Sequence, residues 1–298
     1  DDVPWPAADS LSDLAAQSDG VILAVPNHLH APMALALIDA KCPVLVEKPL
    51  SATAAEGASV VAAADRAGVP LLIGHHRRHN PLIAKAHDLI TDGRLGTVAT
   101  VQGTCWLPKP DSYFAQPWRK GTGAGPLFIN LIHDVDLLMH LCGPITHVQA
   151  MESNVVRKAE AEETTVATLR FASGALGTVN LADVALAPWS WELTAGENPA
   201  YPRTDQSCYL IGGTEGSLAL PNLSLWTQDD GPDWWAPIGQ TRVPMPLSDP
   251  LKTQVEHFAE VIESRARPLV SGADGLRAVQ VIEAIKAAAQ TGHTVAVG

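Results

Sequence analysis

The sequence predicts an α/β protein in which a doubly wound parallel sheet is followed by an α+β part on a mostly antiparallel sheet. Three observations carry this. Short continuous apolar runs alternate with helical segments over residues 20–80. Period-two alternation takes over beyond residue 97. Two helical segments, about 251–264 and 274–290, close the chain.

In the first part, Gly20–Pro26, Pro43–Glu47 and Pro70–Gly74 read as strands covered on both faces, since they are apolar without alternation. The helix after the first strand runs to about Lys41, with Asn27 as its expected cap and Pro32 near its first turn. Ala54–Ala67 is Ala-rich and helical, and Gly68 is suited to cap its end. Strand–helix–strand–helix–strand with short links makes a parallel sheet.

After His79 the rhythm changes. Residues 81–92 and 126–142 are periodic helices. Thr97–Thr104, Thr146–Val156, Thr164–Phe171, Ala175–Leu181, Ser207–Ile211 and Ser217–Leu220 read as strands, some joined by hairpin turns such as Ala172-Ser173-Gly174. The expected division is therefore 1–80 and 81–298.

Composition narrows the function. The chain of 298 residues is 46% hydrophobic and 17% charged, which is ordinary globular material. Its net charge of −12 argues against nucleic acid as a partner, because phosphate contacts need clustered Lys and Arg. No apolar run approaches the roughly 20 residues that span a bilayer. Cys42, Cys105, Cys142 and Cys208 are widely spaced and form no C-x-x-C, so reduced thiols are expected in a cytoplasmic protein. No signal sequence opens the chain. It starts as if in mid-domain, with a short helix leading straight into a strand.

Four constellations bear chemistry. Val44-Leu45-Val46-Glu47-Lys48-Pro49 sets a Glu-Lys pair at the carboxyl end of a buried strand, where ligands bind in open α/β sheets. The bland alternative is a strand-end ion pair. Val25-Pro26-Asn27-His28-Leu29-His30 presents polar groups and free amides at a helix start, fit for ribose or phosphate, or is a plain cap. Gly121–Pro126 leads into a helix with His133, Asp136 and His140 on one face. There His133 suits proton transfer, oriented by Asp136. A metal-binding trio and a core histidine are the alternatives. His75-His76-Arg77-Arg78-His79-Asn80-Pro81 is a basic patch after the third strand, and Trp118-Arg119-Lys120 is a second basic cluster. Either attracts an anion or is a solvated turn.

The ordered set A-V-P-N-x-x-H (24–30), E-K-P (47–49), R-R-x-N-P (77–81), W-R (118–119), G-x-G (123–125) and I-H-D-V-D (132–136) resembles the glucose–fructose oxidoreductase, inositol dehydrogenase and MocA family. The likeness, which includes G-G-T-x-G at 212–216, covers nearly the whole chain. The resemblance implies a Rossmann domain binding NAD or NADP, and a substrate domain whose large open sheet mediates a homodimer or homotetramer. It implies oxidation of a secondary alcohol of a sugar, cyclitol or relative, with no metal. Lys48 and His133 are then catalytic. Pro26, Asn27, His30, Glu47, Lys48, Pro49, Arg77, Trp118 and Arg119 bind cofactor. Asn130, His133 and Asp136 bind substrate.

Two departures qualify this. Many members carry an Asp four residues before the active His, where this chain has Ile129. The neighbouring Asn130 sits about 100° around a regular helix from that position. No strand is followed by G-x-G-x-x-G, so a preceding portion of the order of 30–60 residues is expected outside this sequence. The competing readings are a non-catalytic sugar-binding or regulatory module of the same fold, and a metal-dependent lyase or hydrolase using His133, Asp136 and His140.

Overall fold

The computed structural model describes residues 7–121 and 123–298, apart from the side chains of Pro117 and Trp118. Contacts divide the chain into two units, Asp1–His76 with Leu251–Gln280 and Arg77–Pro250 with Val281–Gly298.

In the first unit, β1 (Val21–Leu23), β2 (Val44–Val46) and β3 (Leu71–Ile73) form a parallel sheet in that order. Val21, Leu23, Val44, Val46, Leu71 and Ile73 face a core completed by α2 (Asn27–Asp39) and α3 (Ala54–Ala67). Leu45 and Leu72 point the other way, onto Phe258 and Val261 of α7 (Pro250–Ile262). Both faces are covered, which is why β2 and β3 are continuously apolar. Helix α3 starts on a reciprocal Thr53/Glu56 capping box and ends at Gly68, whose φ of 64° takes the left-handed cap.

The start of α2 differs from expectation. Pro26 occupies the N-cap, Asn27 is already helical, and Pro32 lies inside the helix. The short helix expected before β1 is α1 (Leu11–Ala16), capped by Ser10.

Contacts divide the chain between His76 and Arg77, near the expected residue 80, but they group 251–280 otherwise than the expected 81–298 part. The segment 251–280 packs with the first sheet, not with the second part. Gly272 and Gly275 of α8 (Gly272–Thr291) lie against Leu71 and Ile73, where an added Cβ would come within 2.5 and 2.6 Å of those side chains. The Ile73 amide donates to the Val270 carbonyl at 3.1 Å. The chain returns to shield a sheet face that helices next to it in sequence leave bare.

In the second unit come α4 (Pro81–Thr91), β4 (Val98–Trp106), α5 (Ile132–Cys142), β5 (Ile145–Ser153), β6 (Thr164–Phe171), β7 (Leu176–Ala182) and α6 (Trp191–Thr194). Then follow β8 (Tyr209–Gly213), β9 (Gly216–Leu220), β10 (Ser224–Thr227), β11 (Gly239–Arg242) and β12 (Val295–Ala296). Among the described residues they make a nine-stranded sheet, β11-β10-β9-β8-β4-β7-β6-β5-β12, antiparallel except where β4 pairs β7. One face is core: Val101, Ala167, Leu169, Val179 and Leu181 are buried. Gly103 of β4 lies under Leu138 of α5 and beside Val179, whose Cγ1 would be 3.3 Å from an added Cβ. The other face is open, exposing Met151, Val166, Leu176 and Leu210 among Thr and Gln.

A Trp-bearing stretch, 228–238, joins β10 to β11. Trp234 and Trp235 stand 96% and 92% exposed there, whereas Trp191 is core. All four cysteines are free thiols. Among the described residues no helix is long and apolar enough to cross a membrane.

Candidate active site

In the first unit, the sequence-predicted groups gather at the carboxyl ends of the parallel strands. Strand β2 runs straight into Glu47, Lys48 and a cis Lys48–Pro49 bond. Glu47 and Lys48 are partly exposed, while Pro49 is buried. Burial pushes the Glu47 carboxyl up, against the opposing pull of the Lys48 amide and ammonium. Gly74, one residue beyond β3, makes room for it: a Cβ there would lie 2.8 Å from the Glu47 carboxylate.

Helix α2 begins beside this ledge with no side-chain cap on its N-terminus. Of its first-turn amides, Leu29 donates to the Pro26 carbonyl at 2.8 Å, and the helix dipole favours an electron-rich group at this end. An uncapped helix start, a partly exposed Lys at a strand end and a Gly that permits close approach fit the ribose and nicotinamide end of a dinucleotide.

His30 is one of the residues expected in the cofactor groove. It is 1% exposed, and its ring nitrogens lie 2.6 Å from the Pro49 carbonyl and 2.8 Å from the Val25 carbonyl. It ties α2 to the ends of β1 and β2 and so shapes the ledge from beneath.

In the second unit, α5 carries His133. A π-helical turn, Leu127–Leu131, precedes it instead of the regular helix expected over 126–142. Such turns change the angular step between residues and recur at functional sites. The straightforward rotation relating Ile129, Asn130 and His133 therefore does not apply. Asn130 and His133 are 8% and 6% exposed, and the Asn130 Oδ1 accepts no hydrogen bond among the described residues. The turn is fixed by Glu162, which accepts from the Leu127 amide at 3.2 Å and receives Lys286 at 3.4 Å. Gly125 is required there, because a Cβ would run into the Glu162 carboxylate.

The basic stretch after β3 is not an exposed patch. Arg77 donates to Asp134 at 2.9 Å, to Glu192 at 2.8 Å and to Tyr209 at 3.2 Å. Tyr209 also donates to Asp134. Burial works against the Arg77 charge, but Glu192 and Asp134 outweigh it and hold its pKa well above the ordinary value. Burial raises the Asp134 carboxyl even so. Arg78 takes both oxygens of Asp136, which is fully buried. Asn80 donates to Glu197 at 2.8 Å and caps α4 through Leu82.

Arg77, expected at the cofactor, is thus paired with Asp134, Glu192 and Tyr209, and Asp136, expected at the substrate, is paired with Arg78. Their charges are spent inside the unit, where leaving either one unpaired is costly. Arg119 bonds the Tyr113 carbonyl at 2.8 Å and lies 4.0 Å over its ring. The Trp118 side chain lies outside the described residues. Among those described, no group of three or more His, Cys, Asp or Glu converges to hold a metal.

Asp134, Glu192, Tyr209 and Glu162 are the site-building residues that sequence reasoning missed. Only Asp134 left a signal, directly after His133 in I-H-D-V-D.

A parallel-stranded unit with an uncapped helix and a Lys at its strand ends, followed by a sheet unit carrying a buried His, defines the class of dinucleotide-dependent oxidoreductases. Two family models agree. Residues 1–75 match the oxidoreductase family with an NAD-binding Rossmann fold, and residues 83–219 match the GFO/IDH/MocA C-terminal domain. The chain belongs to the Gfo/Idh/MocA family of NAD(P)-dependent oxidoreductases.

It is 27% identical to 1,5-anhydro-D-fructose reductase of Ensifer adhaerens over 282 residues, covering 92% of this chain and 78% of that one. It is 33% identical to the scyllo-inositol 2-dehydrogenase (NADP(+)) IolW of Bacillus subtilis over 144 residues, covering 48% and 39%. Among solved structures it resembles the WlbA dehydrogenase from Bordetella pertussis in complex with NADH and UDP-GlcNAcA. That match has a TM-score of 0.74 at 27% identity, covering 97% of this chain and 83% of that one.

Proposed function

We propose that the protein moves a hydride between NAD or NADP and a secondary alcohol carbon of a sugar, cyclitol or related polyhydroxylated molecule. The single observation that carries this is the E-K-P turn of β2, which sets the Lys48 ammonium at the strand ends beside the uncapped start of α2. Named relatives that act on anhydrofructose and scyllo-inositol support the substrate class.

A nicotinamide held at the strand ends would supply the hydride acceptor or donor. Lys48 donates to the substrate oxygen and stabilises its alkoxide character. His133 takes the hydroxyl proton during oxidation and returns it during reduction. Pro26, Asn27, Glu47 and Lys48 hold the ribose end of the cofactor, with Arg119 and Trp118 as further contacts. The Asn130 Oδ1, buried and without a donor, accepts from a neighbouring substrate hydroxyl. The open sheet face bearing Met151, Val166, Leu176 and Leu210 pairs with a second copy to give a homodimer or homotetramer.

Ile129, four residues before His133, favours one other reading, a non-catalytic sugar-binding or regulatory module. The test is a spectrophotometric screen of a panel of polyols and aldoses with each of NAD+ and NADP+. Nicotinamide reduction with at least one substrate, abolished in Lys48→Ala, supports the enzyme. Saturable sugar binding, with cofactor bound and no reduction of it, moves the module reading ahead.

A further inference from the structure

A cavity of about 250 Å³ lies within the second unit, between the segment after α6, the β9–β10 turn and the strap that follows β11. No Asp or Glu lines it, in a chain of net charge −12, yet Arg203 and Arg242 both do. Their guanidinium groups are little used. Among the described residues Arg242 gives only Nη2, to Asp205 at 2.7 Å and Asn222 at 3.1 Å. Among them Arg203 gives only Nε, to the Thr194 carbonyl at 3.4 Å. Both side chains are exposed, and the remaining nitrogens of their forks have no protein partner among the described residues.

Three features show that the cavity is built. Ser248 lines it with a buried hydroxyl that has no partner among the described residues. Gly196, at φ 71°, leaves room for the Arg203 stem, since a Cβ would come within 2.9 Å of its Cδ. Leu223, on the wall, holds a φ of 48°, a strained conformation for a branched residue and one that tends to persist at ligand clamps.

We propose that this cavity binds a small oxyanion, a phosphoryl or carboxylate group gripped by Arg203 and Arg242 with Ser248 as a further donor. Planar forks match such oxygens two at a time, and the cavity has room for a monosaccharide-sized carrier. The proposal rests on this unit alone and holds whether or not the chain is a dehydrogenase.

The test is calorimetric titration of the whole protein with inorganic phosphate, glucose 6-phosphate and glucuronate, each against sodium chloride of equal ionic strength. Saturable binding of at least one probe is expected. It should weaken about tenfold or more in Arg203→Gln/Arg242→Gln, whose thermal midpoint without ligand stays that of the parent. Tighter binding of a sugar-borne anion than of phosphate identifies the carrier, and equal binding identifies the free ion. Arg203→Lys, which keeps the charge, should bind between the two if folding troubles the double variant. No saturable binding into the millimolar range, or equal affinity in parent and double variant, overturns the proposal.

Discussion

Arg78 holds Asp136 at two points, Nε to Oδ2 at 2.9 Å and Nη2 to Oδ1 at 2.6 Å, with the side chains only 6% and 1% exposed. The pair flanks His133 three residues along α5, so it fixes the helix that carries the proposed proton acceptor. Breaking such a pair strands a charge in the interior. Arg78→Ala should therefore cost about 3–5 kcal/mol in urea unfolding, whereas Arg78→Met/Asp136→Leu should cost far less because no charge remains. Equal losses in the two variants would mean that packing, not charge, is what the clasp supplies.

The return of the chain onto the first sheet can be tested at Gly275. An alanine there drives its Cβ to 2.6 Å from Ile73 Cγ1, an overpacking that should cost about 1–3 kcal/mol in thermal unfolding. Gly68→Ala meets nothing within 4 Å, and its cost of about 1 kcal/mol should come from the left-handed φ of 64° instead. A harmless Gly275→Ala would show that α8 does not press on β3.

The first sheet was legible because a strand buried on both faces is written as a continuous apolar run, as Val44-Leu45-Val46 is. Helix α3 was legible at both ends because Thr53, Glu56 and Gly68 are local signals. The second sheet betrayed its strands by alternation but not their order, since nothing local places β4 between β7 and β8. Within the site, Lys48 and His133 stood out as chemically apt residues at element ends. The fates of Arg77 and Asp136 did not. Arg77 finds its partners 57, 115 and 132 residues away, and side-chain pairing over such separations leaves no periodicity to read. The π turn was hidden for a similar reason, being set by Glu162 from 35 residues downstream.

Glu197 gives a pH signature. Burial raises its carboxyl pKa, outweighing the Asn80 hydrogen bond and Arg77. The folded chain thus holds this proton more tightly than the unfolded chain does. Its contribution is fully present below the unfolded value, about 4.3, and is lost as pH rises through the folded value. Glu197→Gln keeps an oxygen for Asn80 and removes the charge. It should be more stable than the parent at pH 7, a gap that closes below about pH 4. A gap that persists at low pH would assign the effect to packing.

Asn130 separates stability from function. Its Oδ1 is buried without a donor among the described residues, and an unsatisfied acceptor costs about 1–3 kcal/mol relative to a satisfied one. Asn130→Leu removes that cost in a side chain of similar size, so the unfolding midpoint should hold or rise. If Oδ1 accepts from a substrate hydroxyl, the same change should raise KM for the polyol about tenfold while leaving the cofactor Kd unmoved. His133→Asn should act differently, lowering kcat by about 10²–10⁴ with KM little changed, because it removes proton transfer and not a binding contact. A less stable Asn130→Leu with unchanged KM would make Asn130 a prop for the π turn, and the substrate contact would have to be sought elsewhere.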